Sequence, residues 1–511
     1  MDPQRPVVQA VSWKHGKIVA VGTESEVLNA SGSDVVIERF PDATIVPGLV
    51  DSHGHLESLG RSLSIVSLLA ATSEADAVKK VQAATTAAYQ GEWLMGRGWD
   101  QNDWPGQQFP TRASLDAALS ETPVFLKRVD GHAAWVSSAA LKRAGITAAT
   151  KDPDGGKIIR DAKGEPTGVL IDNAIDLVEV KIPPVSDAVL QQRLKAALET
   201  CARLGLTQMH DAGIDRRTFK QLQQWDMLGV LPMRIYAMAY GQEGEAQEWL
   251  DQGTFSGRML ELKAVKLVLD GALGSRGAAL HAPYSDEPGS KGLLLITPEV
   301  FAEKAKAFSE RGFQVAVHAI GDRANTLVLD VLSKLDPKLR HRIEHAQILR
   351  KEDVERFAKN GIIASYQPTH ATSDMPWAEK RVGPQRITFA YAWRSMLDSG
   401  AHVAFGSDFP VEDANPMLGL YAARTRQDLE GQPPGGWLPE QRVSGEEALA
   451  GFTTGGAYAA FAEDRRGQLK SGFDADLLVL PVDPVEGEPK RVAAMKVLIT
   501  VVNGVDVFRA P

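Results

Sequence analysis

The chain has 511 residues, too many for one small domain and enough for a large core with accessory parts. A hydrophobic share of 44% and a charged share of 24% are those of an ordinary soluble protein, and a formal charge of −9 with no basic run argues against nucleic acid as a partner. A single cysteine, Cys201, excludes an internal disulfide framework.

Residues 1 to 48 alternate short apolar runs with turn signals: Val7–Val11, Lys17–Gly22 and Val35–Ile37. The far end has the same texture in Asp476–Leu480 and in Val497–Val502, the latter followed by Asn503-Gly504, a strong tight-turn signal. Neither end could bury a core alone, so 1–48 and 466–511 are expected to join in one small β-sandwich domain. Between them, strand-like runs alternate with amphipathic helices. The first is Ile45–His55, an apolar run ending in His53-Gly54-His55. Next come Leu206–His210, Met233–Met238, Ala264–Leu269, Phe313–His318, Arg342–His345, Ile362–Tyr366 and His402–Gly406. Eight such strands predict an α/β fold of the (β/α)8 TIM-like barrel type over 49–90 and 181–465. The long gap after the first strand holds further strand-like runs at Trp93–Gly96, Val124–Val129, Lys157–Arg160 and Gly168–Ile171. Residues 91–180 are therefore expected to form an α+β insertion over the active site that contributes to substrate selection. Cys201 recurs with Leu190, Leu194 and Leu198 at helical spacing, which predicts a buried structural thiol. No stretch is apolar for long enough to span a bilayer, and the first residues lack a signal-peptide core, so a cytoplasmic location is the default expectation.

Alternation along a strand points His53 and His55 the same way, so two imidazoles can close on one ion, with Gly54 keeping the position between them uncrowded. In a parallel barrel the C-terminal strand ends gather the functional side chains. Lys266, His318, His345 and Asp408 stand there, each after an apolar strand. Four imidazoles, a carboxylate and a lysine suit zinc or a similar divalent ion with a position left open for water. Such an ion makes water reactive at neutral pH, and Asp408 is placed to act as general base. A lysine inside Val265–Leu269 would be desolvated, favouring the neutral amine that can react with carbon dioxide to give a carbamate. Lys263 is out of phase and should face the helices.

This array resembles the amidohydrolase superfamily, which places His-x-His after the first strand, a frequently carboxylated lysine after the fourth, histidines after the fifth and sixth, and an aspartate after the eighth. The resemblance implies that His53, His55, Lys266, His318, His345 and Asp408 are the metal ligands. Gly96–Asp100, Arg128–Trp135, Lys266–Arg276 and Gln367–His370 resemble the family 3 branch containing N-substituted formamide deformylase. Relatives carry an additional strand before the equivalent of Asp2-Pro3, so a start upstream of Met1 is expected.

Within the pocket, His132 is a candidate catalytic donor to a tetrahedral oxyanion. Trp99, Trp135, Tyr366 and Phe409 are candidates for its apolar lining, and Arg276 for holding a substrate carboxylate. Asp130, Asp270 and His370 complete the substrate-binding set, and His210 is given a supporting role. The activity expected is hydrolysis of a C–N bond in a linear amide, an N-acyl or N-formyl amine. The alternatives are a cyclic amide, ester or lactone, or a non-catalytic metal-binding scaffold. Zinc in one or two ions is the expected cofactor, with a carbamate on Lys266 left open. The expected partners are a small-molecule substrate and at most a second copy of the chain, with no nucleic acid and no membrane.

Overall fold

Pro47-Gly48 divides what reads in the sequence as one strand. The computed structural model describes residues 6–84, 93–128, 131, 133–153, 155–242 and 244–511. It places Thr44–Pro47 in a small antiparallel sheet and Leu49–Gly54 in a separate parallel one, which corrects the expected continuous strand from Ile45 to His55. Gly48 lets the chain pass between them because it has no side chain: a Cβ there would lie 2.2 Å from Thr207 Oγ1.

The parallel sheet holds β1 (Leu49–Gly54), β2 (Leu206–Ile214), β3 (Arg234–Tyr240), β4 (Leu260–Val268), β5 (Gln314–Ala319), β6 (Arg342–His345), β7 (Ile363–Tyr366) and β8 (Val403–Phe405). Each pairs with the next in chain order, and all eight expected strands are present with ends moved by a few residues. Gly54 bridges to Phe409 just past β8, so the sheet nearly closes into a barrel. Helices follow the strands and are punctuated by local chemistry. Arg216–Leu228 starts on the Asp215 side chain and stops at left-handed Gly229, and Pro298–Glu310 starts on Thr297 with Pro298 in its first turn. No helix among the described residues is long and apolar enough to cross a membrane. Cys201 is buried, and burial pushes its thiol pKa up, as a structural thiol requires.

By contacts the chain divides into two compact units, Gly60–Arg193 and the remainder. The Gly60–Arg193 unit is built on a six-stranded sheet in the order 66–67, 94–99, 124–128, 133–136, 166–172, 156–160. In the other unit, beside the barrel, Thr44–Pro47 pairs with Leu477–Leu480, which continues through Ile499–Val502 to Val505–Arg509. The turn at Asn503-Gly504 has positive φ at both residues, the type I′ geometry that this pair favours. Ala10–Lys14 and Lys17–Gly22 form a further hairpin.

Arg234, at the start of β3, ties the barrel to this terminal sheet. Its Nε donates to Asp476 at 2.7 Å and its Nη2 lies 3.3 Å from Asp474, all three side chains being buried. Removing one partner strands a charge in a dry place. Arg234→Met is expected to destabilise the protein by about 3 kcal/mol, seen as a lower urea midpoint, and Arg234→Met with Asp476→Leu should recover part of that loss.

Candidate metal centre

The barrel closes where the candidate ligands stand. Asp408 donates its N–H to His53 O at 2.7 Å, and His55 donates its N–H to Phe409 O at 2.9 Å. A Cβ on Gly54 would meet the Phe409 ring at 2.5 Å, so the glycine between the histidines makes room for this closure. Asp51 reinforces it, accepting from His53 N at 3.0 Å and from Ser407 Oγ at 2.6 Å. Burial pushes the Asp51 carboxyl up to about 7 against these hydrogen bonds.

His53, His345 and Asp408 each present a ligand atom within 4.8 Å of the others. The Asp408 carboxylate lies 3.1 Å from His55 Nε2 and 3.4 Å from His53 Nε2 through Oδ1, and 3.6 Å from His370 Nε2 through Oδ2. Lys266 Nζ is 3.3 Å from His53 Nε2. The His318 and His53 rings lie 4.5 and 4.8 Å from that of His345, and His370 stacks on His345 at 5.8 Å. Every expected ligand is therefore brought to one mouth of the barrel.

Two of them have left-handed backbone: φ is 73° at His345 and 62° at Asp408. For residues with a Cβ this costs roughly 1–3 kcal/mol and turns the chain sharply at a strand end. In β6, Arg342 and Glu344 are buried on one face; the turn at His345 swings the next side chain into the mouth as well.

The donor set fits a divalent cation. His53 Nδ1 meets Glu344 Oε2 at 2.6 Å and His345 Nδ1 meets Gln367 Oε1 at 2.7 Å. Since those oxygens accept, both Nδ1 atoms carry the proton and both Nε2 atoms are left with lone pairs. The His318 ring hydrogen-bonds the backbone at Gly271, while its Nε2, like that of His370, is buried without a hydrogen-bond partner. Buried nitrogens without partners are costly, and an ion would satisfy them.

Electrostatics point the same way. Burial, followed by the nearby Lys266 charge, pulls the His53 pKa down to about 4 and that of His318 to about 3. Burial and the His318 and His53 rings put His345 well below its usual range. Burial also lowers Lys266. For Asp408, burial raises the carboxyl, but the surrounding imidazoles of His53, His55, His345 and His370 together hold it well below the usual carboxylate range.

The pocket candidates fare differently. Trp99 and Trp135 are fully buried in the Gly60–Arg193 unit, packed edge to face on each other and against Trp104, and their N–H groups donate to the carbonyls of Leu126 and Thr111. They are core, which corrects their assignment to a pocket lining. Tyr366 is buried against Trp393 of the helix Trp393–Asp398, behind the barrel wall, and Phe409 is buried against Gly54. Arg276 is held by Asp286 at 2.9 Å and Glu287 at 3.2 Å, so its guanidinium is already spent on a structural ion pair. Asp270 accepts N–H groups from Ala279, Ile320 and Gly321 and lies 3.7 Å from His318 Nε2, a supporting place rather than a substrate contact. His370 joins the site. Asp130 and His132 lie outside the described residues. Sequence reasoning missed Asp51, Glu344 and Gln367; the clue for Glu344 was a charged pair, Arg342 and Glu344, two apart on an otherwise apolar strand.

A family model described as "Amidohydrolase family" matches residues 42–508. The Bacillus subtilis protein named "Putative amidohydrolase YtcJ" is 35% identical over 98% of this chain and 96% of its own length. N-substituted formamide deformylase of Arthrobacter pascens is 28% identical over 99% of this chain and 96% of its own. Among solved structures, an uncharacterized metal-dependent hydrolase from Pyrococcus horikoshii superposes with a TM-score of 0.80 at 28% identity, covering 94% of this chain and 95% of the other.

In 15N spectra of histidine-labelled, metal-free protein at pH 6, His53 and His345 are expected as neutral rings protonated at Nδ1. For His53 the sign follows from a pKa near 4: two units above it the ring has lost its second proton. A doubly protonated His53 at pH 6 would contradict this.

Proposed function

The chain belongs to the amidohydrolase family, and from that premise we propose that it is a metal-dependent hydrolase cleaving the C–N bond of a linear amide, an N-acyl or N-formyl amine. The observation that carries this reading is the convergence of His53, His345 and Asp408 within 4.8 Å at the C-terminal mouth of the barrel. The likeness to N-substituted formamide deformylase supports the substrate class.

In this proposal His53, His55, His318, His345 and Asp408 hold the ion, zinc being the first choice for imidazole and carboxylate donors. Lys266, whose burial favours the neutral amine, adds an oxygen donor when carboxylated, and a second ion then has a ligand. When bound, the metal supplies a Lewis acid for the carbonyl and lowers the pKa of water. Asp408 does the proton work. Its carboxyl lies well below the usual carboxylate range, with His55 Nε2 3.1 Å from Oδ1, and it stands at the mouth, so it can take a proton from water as the water oxygen bonds to the carbonyl carbon. The same proton then passes from Asp408 to the amide nitrogen as the C–N bond breaks, giving a carboxylic acid and an amine. His370, 3.6 Å from Asp408 Oδ2, borders this path and steadies the carboxylate.

A chelator is expected to abolish hydrolysis of N-formyl and N-acetyl amines, and added zinc to restore it. Higher kcat/KM on lactones or ring amides would overturn the linear-amide reading. Asp408→Asn should keep most of the metal, measured by elemental analysis, while kcat falls at least about 100-fold; near-normal turnover would reject the proton shuttle.

A further inference from the structure

Behind the ligands lies a buried charged assembly that the proposed chemistry does not use. Arg342 and Glu344 are both fully buried inside the barrel, with Arg342 Nε 2.8 Å from Glu344 Oε1 and Nη2 3.2 Å from Oε2. Glu344 Oε2 also takes the His53 Nδ1 proton at 2.6 Å. The guanidinium has further anchors: Nη2 donates to Ser52 O at 2.7 Å and to Ser365 Oγ at 2.9 Å, and Nη1 donates to His210 Nδ1 at 2.9 Å. The assembly therefore rests on β1, β2, β6 and β7.

Stability alone does not call for it. Burying an ion pair costs about as much in lost hydration as its attraction returns, and well-packed apolar side chains often serve as well or better. What an apolar pair could not do is present an anionic oxygen to His53. We infer that Glu344 is a positioning residue for the metal centre: by accepting the Nδ1 proton of His53 while Arg342 fixes its own carboxylate, it locks that ring's tautomer and rotation so that Nε2 faces the ion.

The arrangement has a direction. An arginine can only donate, so all its contacts to Ser52, Ser365, His210 and Glu344 hold the guanidinium in one plane. That plane fixes the carboxylate, and the carboxylate fixes the imidazole. Glutamine at 344 cannot substitute, because an amide that still accepts from His53 turns its NH2 toward Arg342 Nε, donor against donor. Ser365 is the mildest point at which to loosen the chain, since it touches Arg342 and no ligand.

The inference rests on the metal-centre reading above, and the two can fail separately. The metal-free protein is reloaded with zinc and the dissociation constant measured by chelator competition; cobalt(II) is loaded in parallel for its visible spectrum. Glu344→Gln is expected to weaken zinc binding about 10- to 100-fold and to alter the cobalt spectrum. Ser365→Ala should weaken zinc binding in the same direction by only a few-fold. Melting of the metal-free forms separates this from unfolding: a merely structural role would lower the melting temperature and leave the cobalt spectrum unchanged. Glu344→Gln with affinity within about 2-fold of the unmodified protein and the same cobalt spectrum overturns the inference. If Glu344→Gln does not fold, unchanged affinity in Ser365→Ala overturns it instead. An unmodified protein that binds neither ion removes the metal-centre reading itself, and the inference with it.

Discussion

The hydrogen bond from Asp408 N to His53 O holds together two points of the chain that nothing local connects. With the Gly54–Phe409 bridge it fastens the first barrel strand to the last. Until that seam forms, the two histidines at the end of the first strand and the aspartate after the eighth have no reason to be neighbours. The same backbone contact that closes the sheet also sets the Asp408 carboxylate against His53 and His55, so fold and site are completed together. Asp51 and Ser407 brace the seam from behind, which explains why a carboxylate with no obvious chemistry is buried one turn of the pleat before His53.

Much of this is legible in the amino-acid sequence. The barrel strands are short apolar runs, several of which carry a residue of a ligating type at or near the C-terminal end, and the parallel-barrel rule puts those ends together. Lys266, His318 and His345 could be placed in that way. Harder to read were features that depend on a partner strand. Arg342 and Glu344 look like an anomaly in β6 until β1 and β7 are seen to supply Ser52 and Ser365. Trp99 and Trp135 looked like pocket residues because indoles serve both cores and pockets; only the contacts to Trp104 and to backbone carbonyls decide between them. Arg276 was ambiguous for a similar reason, since Asp286 and Glu287 lie ten and eleven residues on in an irregular loop. The break at Pro47-Gly48 is hidden in the sequence by the continuous hydrophobicity on either side of it.

The interior of this barrel also departs from a purely apolar core. Ala212, Ala264 and Ala316 are small, and the space near them is shared with Tyr236, Gln314 and the Arg342 assembly. Polar groups at this depth are costly unless they find partners. Tyr236 finds Gln314, and Arg342 finds four partners. Arg342 Nε meets Glu344 Oε1 as an ion pair rather than a hydrogen bond, and the unmatched ring nitrogens of His318 and His370 sit at the mouth, where an outside ligand can reach them.

The pairing of Thr44–Pro47 with Leu477–Leu480 bears on how the chain is made. A ribosome that has just released the first of these segments must add more than four hundred residues before the second appears. At typical elongation rates of about 5–20 residues per second, that leaves the early strand without its partner for roughly 20 to 90 s. Through that interval its apolar edge is a template for neighbouring nascent chains, so the demand for chaperone cover falls on the beginning of the polypeptide and ends only with its last strands.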